Sequence, residues 1–208
     1  MTGLIRKARV LSLLLSVLLA ACASYLPLHA PLFYPPSSHS STTHTAKHVA
    51  PSNFDVRAIL NPFTDKRSDT STVGGLLMPW GVRMPVTPTR SVPDWVLQAL
   101  RTELENSGYT VVTGIATEDV SAGRNVVVSG EILNVFCDSF IKYKGRVSLV
   151  VRANQAGNEI LNRRYDGEGS SGIVWVPLDD EYAQSLALAL ASALHQFISD
   201  LDKSVSTE

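Results

Sequence analysis

The side chains able to do chemistry are few and far apart. The chain holds two thiols, Cys22 and Cys137, and five histidines, four of which (His29, His39, His44 and His48) fall in one stretch. A histidine cluster can bind transition metals, and His44 and His48 would share a face if they were helical. The Pro/Ser/Thr-rich surroundings carry no helical pattern and supply no cysteine or carboxylate co-ligand, so no metal is expected there. His195 is the remaining histidine, and a hydrolytic triad needs such a base with a carboxylate behind it. Its place beside Leu188 and Ser192 on a terminal helix predicts a solvated face with no aspartate to orient the ring. The metalloprotease, dithiol, phosphate-loop and nucleophile-elbow signatures are absent. Asp65, Lys66, Arg67 and Asp69 form the densest group of opposite charges, and their position just after a strand predicts a structural turn or capping motif built on Asp65 and Arg67. Asp179 and Asp180 are adjacent and face different ways, which rules them out as a glycosidase pair. No catalytic residue, metal or cofactor is expected, and the chain does not read as an enzyme.

Cys22 is different because of what precedes it. Arg6, Lys7 and Arg9 form a positive flank, and Val10–Leu19 is an apolar run of about ten residues, half the length of a bilayer-spanning helix. A positive flank, a short apolar core and small residues at the end describe a signal peptide. The Leu19-Ala20-Ala21-Cys22 sequence resembles the lipobox of bacterial lipoproteins. That resemblance implies cleavage after Ala21, a diacylglycerol on the Cys22 sulfur and an acyl chain on the new amino terminus. Several acyl chains on one residue anchor stably where a single one does not. Ala23, standing where aspartate favours inner-membrane retention in enteric lipoproteins, implies the periplasmic face of the outer membrane. With Cys22 consumed by lipid, Cys137 has no disulfide partner and reads as an inert buried thiol.

The organisation follows. Residues 1–21 are the signal peptide, and 22–52 are the lipidated cysteine and a Pro/Ser/Thr/His-rich tether. Residues 53–203 are a folded domain, with a short tail at 204–208. The whole chain has formal charge −1 with 18 bases and 19 acids. The three bases of the leader precede Cys22 and no acid does, so the mature chain is mildly acidic, which excludes a general nucleic-acid binder.

The domain must be built from amphipathic pieces. Residues 54–61 read as a strand ended by Pro62. Ser91-Val92-Pro93-Asp94 starts a helix that ends at Gly108. Residues 109–115, 125–137, 141–154 and 159–167 read as strands. In 141–154, Ile141, Tyr143, Val147, Leu149, Val151 and Ala153 alternate with Lys142, Lys144, Arg146, Ser148 and Arg152, the pattern of one buried and one wet face. Together with Arg163 or Arg164, those bases read as a solvated outer face. A long helix from Asp179 to Asp202 carries Leu186, Leu190, Leu194, Phe197 and Leu201 on one stripe. The order β-α-β-β-β-α predicts an α+β two-layer sandwich, a mostly antiparallel sheet with two helices on one face.

Two apolar connections stand out. TVGGLLMPWGVRMPVTP, read as a long loop, presents Leu77, Met78, Trp80 and Met84. SSGIVWVPLDD presents Ile173 and Trp175. Apolar residues around a tryptophan anchor in a connection either form a contact surface or fold back as lids over the core.

The lipobox, the Asp65-x-Arg67 motif after a strand, the Gly74 loop, Gly108-Tyr109 and the Ala/Leu-rich terminal helix together resemble the YajG-like lipoproteins. More distantly, they resemble auxiliary lipoproteins of lipid-transporting ABC systems. The resemblance implies a periplasmic α+β domain without catalysis and carries over no activity. The lipid anchor and the apolar connections point to a binding, scaffold or accessory subunit of a cell-envelope assembly, or else to a lipid-handling accessory of an envelope transport system whose apolar loops line a groove for acyl chains. Its partners would be envelope proteins or lipid.

Overall fold

The spine of the domain is one long strand, β7 (Asn125–Ser139), rich in β-branched residues. Its buried positions are Val126, Val128 and Ile132 in the first half and Val135, Cys137 and Ser139 in the second. The change from even to odd numbers coincides with a bulge between Ile132 and Asn134. One extra residue there shifts the side-chain phase by one, so both halves face the same core. The computed structural model describes residues 28–34, 56–78, 80–114, 125–174 and 178–205. Cys22 and Trp175 lie outside the described residues.

β8 (Lys142–Gln155) and β9 (Asn158–Ile173) continue antiparallel from β7 as a meander. The β8–β9 turn places Ala156 and Gly157 at φ 49° and 83°, the left-handed pair that matches the twist of a two-residue hairpin. The other edge of β7 is lined in series by three short parallel strands. β2 (Arg57–Leu60) pairs with Asn125–Val128, β3 (Thr64–Asp65) with Glu131–Ile132, and β4 (Gly74–Leu77) with Cys137–Ser139. β5 (Arg83–Pro88) folds back antiparallel on β4, and β1 (Leu28–Ala30) runs parallel to β5. β6 (Thr110–Thr113) flanks β2 in parallel.

Two helices cover the inner face. α1 (Val92–Asn106) opens with Ser91 Oγ accepting from the Asp94 amide at 3.4 Å and is followed by Gly108 at φ 91°. α2 (Asp179–Val205) begins with Asp179, Asp180 and Glu181, where the helix dipole favours acids. α2 lies on β8 and β9, with α1 beside it over β2 and β6. Trp95, Leu100, Leu104, Leu149, Leu186, Leu190, Leu194 and Phe197 close the core between the layers. A seam of small residues lets α2 sit close to the sheet. A methyl on Gly167 would stand 2.0 Å from the Ala189 carbonyl oxygen, and one on Gly145 would stand 2.4 Å from that of Ser185.

The α+β sandwich expected from the sequence is present, with three differences. Residues 28–34, within the stretch read as tether, belong to the domain: β1 joins the sheet, and Ala30 and Leu32 are buried. Trp95 Nε1 donates to the Phe33 carbonyl at 3.1 Å. Three strand residues are too few to show alternation, so this element had no signal of its own. The supposed loop after Asp69 is largely the β4–β5 hairpin. Gly74 and Gly75 suggest a turn but serve a strand, because a methyl on Gly74 would lie 2.7 Å from the Cys137 carbonyl oxygen. Finally, β9 runs through Gly167, Gly169 and Gly172 to Ile173 rather than ending at 167.

Candidate functional site

The Asp65-x-Arg67 motif is a structural knot. Arg67 Nε donates to Asp65 Oδ1 at 2.9 Å, and a second guanidinium nitrogen donates to Oδ2 at 2.9 Å. The same fork reaches the Thr72 carbonyl at 2.8 Å and the Thr70 carbonyl at 3.1 Å. Arg67 is 9% exposed. Burial alone would raise the Asp65 carboxyl, but the bonds and charge of Arg67 hold it below its ordinary value. Next in the chain, Asp69 caps Ser71 and Thr72 through its two oxygens and is pulled down to about 2 by those bonds. The loop from β3 to β4 is therefore wound around one guanidinium, which fixes where the β4–β5 hairpin starts.

That hairpin contributes to an apolar end of the molecule. Leu76 is level with Ser139 across β4 and β7, and Ser139 is level with Tyr143 across β7 and β8. Lys142 is level with Ile173 across β8 and β9. The β4–β5 tip, the β7–β8 tip and the end of β9 therefore emerge together. Met78 closes the first tip, its amide bonding the Val82 carbonyl at 2.8 Å, and the Val174 amide bonds the Ile141 carbonyl at 3.0 Å. The Leu178 amide donates to the Tyr143 hydroxyl at 3.0 Å, bringing the start of α2 to the same place. Trp80, Val82, Phe140, Ile141, Ile173 and Leu178 are each 53–64% exposed. Of the residues singled out from the sequence, Trp80 and Ile173 are on this surface. Leu77, Met78 and Met84 are half-buried along the hairpin that carries it. Val82, in the same apolar connection as Trp80, is on it too; Phe140 and Leu178 were missed, and Ile141, read as the first residue of the buried face of β8, stands exposed in the turn before that strand. Phe140-Ile141, two bulky apolar residues between two strands where a turn needs polar ones, was the available signal.

The polar candidates are held otherwise. His195 is not free of carboxylates: its Nε2 lies 3.2 Å from Glu103 Oε2, and Tyr34 Oη donates to Glu103 Oε1 at 2.6 Å. Glu103 is 4% exposed and sits on α1, so the orienting acid came from a helix distant in sequence. Its bond raises the His195 value, partly offset by burial. Burial and the Glu103 bond also raise the Tyr34 phenol. His195 borders an open groove of about 630 Å³ along β9 and α2, with Arg163, Tyr165, Ser199 and Asp200. Arg163 pairs with Asp200 at 3.0 Å. Among the described residues His195 has no hydrogen bond to a nucleophile, and no group of three histidine, cysteine or acidic side chains is placed to hold a metal.

Cys137 is fully buried, with its sulfur 3.0 Å from Ser185 Oγ, and burial pushes the thiol up to about 11. The basic outer face is mostly neutralised. Arg146 faces Glu168, Arg152 faces Glu131, and Arg164 pairs with Asp166 at 2.9 Å. Arg83 pairs with Asp138 at 3.1 Å and stacks over Phe136. Among the described residues no helix is long and apolar enough to cross a membrane.

No family model matches the sequence, and no curated protein is significantly similar to it. Solved structures are similar in shape. Protein XCC0632 of Xanthomonas campestris, a DUF330 protein, covers 88% of this chain and 97% of its own, with a TM-score of 0.55 and 8% identity. The hypothetical protein CT253 of Chlamydia trachomatis covers 74% of this chain and 99% of its own, with a TM-score of 0.49 and 14% identity. Lipoprotein GNA1162 of Neisseria meningitidis covers 74% of this chain and 99% of its own, with a TM-score of 0.36 and 11% identity. Only the first of these is close enough in shape to establish a shared fold, and at 8% identity it says nothing of activity.

Proposed function

We propose that this protein is a non-catalytic lipoprotein, anchored through acyl groups on Cys22 at the periplasmic face of the outer membrane. It acts there as a binding or accessory subunit of a cell-envelope assembly, in keeping with its resemblance to the YajG-like lipoproteins and to auxiliary lipoproteins of ABC systems. The observation that carries this reading is the convergence of six exposed apolar side chains on one end of the sandwich. A concentrated apolar surface of this kind marks a contact site. The polar clusters, by contrast, are spent on structure: Asp65 and Arg67 wind a loop, and Glu103 joins α1 to Tyr34 and His195.

The test is association in cells. Trp80→Ala combined with Phe140→Ala should change which envelope components, protein or lipid, are recovered with the protein after crosslinking, while Cys22→Ala should accumulate as an unlipidated precursor. An unchanged crosslinking profile, or an unchanged acyl signal, would overturn the corresponding half of the proposal.

A further inference from the structure

The chain enters the domain at its apolar end. β7 and β4 run towards the exposed tips, whereas β5, and β1 parallel to it, run away from them. Leu28, the first described residue, therefore stands at the end of β1 nearer the tips. Leu28, Val86, Gly74 and Cys137 lie in one row across β1, β5, β4 and β7. Cys137 is two residues short of the end of β7, which puts the tips about 7 Å beyond that row. The His29 amide donates to Asp179 Oδ1 at 3.3 Å, tying β1 to the first residue of α2 on this same side. Five residues, Ala23–Pro27, separate Leu28 from Cys22, and six residue steps reach at most about 20 Å. A thirty-residue tether would let the domain wander from a membrane. This one lets it lean a short distance at most.

We infer that the apolar end formed by Trp80, Val82, Phe140, Ile141, Ile173 and Leu178 rests in the interfacial layer of the bilayer leaflet that holds the Cys22 acyl chains. The inference rests on the anchored-lipoprotein reading above and names the occupant of the same surface. Three features favour lipid over a protein groove. The side chains stand on separate hairpin tips and strand ends, which suits insertion between headgroups. Trp80 has the amphipathic ring favoured at membrane interfaces. The charges near the tips are mixed, with Lys142 and the Arg83–Asp138 pair beside Asp179 and Asp180, so the attraction is apolar and does not require anionic lipid. The anchor and the apolar end then act as two linked contacts with one surface, each raising the effective concentration of the other.

The experiment uses the mature lipidated protein in vesicles of phosphatidylethanolamine and phosphatidylglycerol doped with phosphatidylcholine brominated in its acyl chains. In a Trp175→Phe background the remaining tryptophans are Trp80 and the buried Trp95. The expected result is loss of emission in brominated but not in ordinary vesicles. The loss should disappear in Trp80→Phe and shrink in Phe140→Asp/Ile141→Asp, whose exposed positions leave the core intact. The mass of the amino-terminal peptide, read in parallel, reports lipidation. An acylated Cys22 with unquenched Trp80 overturns this inference and leaves the anchor standing. An unacylated amino terminus overturns both. A photo-crosslinker at Phe140 that captures protein, including a second copy of this chain, in place of lipid also overturns it.

Discussion

Removing the guanidinium of Arg67 tests how the apolar end is positioned. In the native structure its fork satisfies both Asp65 oxygens and the carbonyls of Thr70 and Thr72. Arg67→Ala would leave Asp65, whose side chain is 16% exposed, without its counter-charge, and two carbonyls without their donor. Breaking a buried pair by removing one partner costs about 3–5 kcal/mol. Because Asp65 keeps some water, the lower end applies, about 3 kcal/mol. For a domain of this size each kcal/mol lowers Tm by about 2–4 °C, so the variant should melt roughly 6–12 °C below the parent. Arg67→Lys keeps the charge but loses the two-pronged geometry and should fall between. Hydrogen exchange should quicken first between Thr70 and β5, since the knot fixes the start of the β4–β5 hairpin. Asp65 adds a pH arm. Its folded value is depressed, so its stabilisation is present above the unfolded value of about 4 and is lost as pH falls through the folded value. The deficit of Asp65→Asn relative to the parent should therefore close in acid. An Arg67→Ala melting curve within about 0.5 kcal/mol of the parent, the range of an ordinary surface change, would refute the knot.

Two further predictions follow from other contacts. Gly167→Ala places a methyl 2.0 Å from the Ala189 carbonyl and 2.7 Å from the Ala193 amide nitrogen. Backbone must move, at about 1–3 kcal/mol or more in a chemical-denaturation curve, while Gly114→Ala, with no atom of the described residues within 4 Å of the added methyl, should be close to neutral. Equal effects would dissolve the small-residue seam. The His195 value is raised by Glu103, so its stabilisation is complete below its ordinary value of about 6.5 and is lost as pH rises through the folded value. His195→Ala should therefore be less stable than the parent at pH 5.5 and approach it above pH 8, with a gap under about 1 kcal/mol because the ring is largely exposed. A gap that does not vary with pH would refute the pairing.

The parts of the fold legible in the sequence were those with many periods. β8 alternates through Tyr143, Val147, Leu149, Val151 and Ala153, all buried, and α2 repeats its stripe from Ala183 to Leu201, about five turns. Ser91 and Gly108 announced the ends of α1 through chemistry that needs only a few residues. What failed were elements whose identity comes from their neighbours. β1, β3 and β4 have three, two and four residues, and each is a strand only because β5 or β7 lies beside it. Gly74 and Gly75 look like turn formers until the close approach of the Cys137 carbonyl and the Arg83 side chain is known. The apolar end was half visible for the same reason. Trp80 and Ile173 stand out in their own segments, whereas their meeting with Phe140, Ile141 and Leu178 depends on strand register, which no single segment carries. The Glu103–His195 contact joins two helices far apart in sequence, and nothing local in either hinted at it.

The two ends of the β-meander show that the apolar tips are not a by-product of folding. Both ends of β8 are tight reversals. At one, Gln155 passes to Asn158 through Ala156 and Gly157, and the exposed residues around them are polar or small. At the other, Ser139 passes to Lys142 through Phe140 and Ile141, both 64% exposed. Either reversal joins its strands, so a polar pair would serve the second turn as well as it serves the first. Exposing two large apolar side chains there forgoes solvation that the other turn keeps, with no gain to the core. The same holds for Trp80 and Val82 on the β4–β5 tip and for Ile173 at the end of β9 and Leu178 just before α2, whereas the other exposed large hydrophobics among the described residues, Phe33, Val112 and Leu188, are scattered singly, as on any protein surface. Three independent chain reversals carrying apolar residues at one end, and that the end at which the amino-terminal strand enters, is a pattern that stability does not require and that attachment to an apolar surface does.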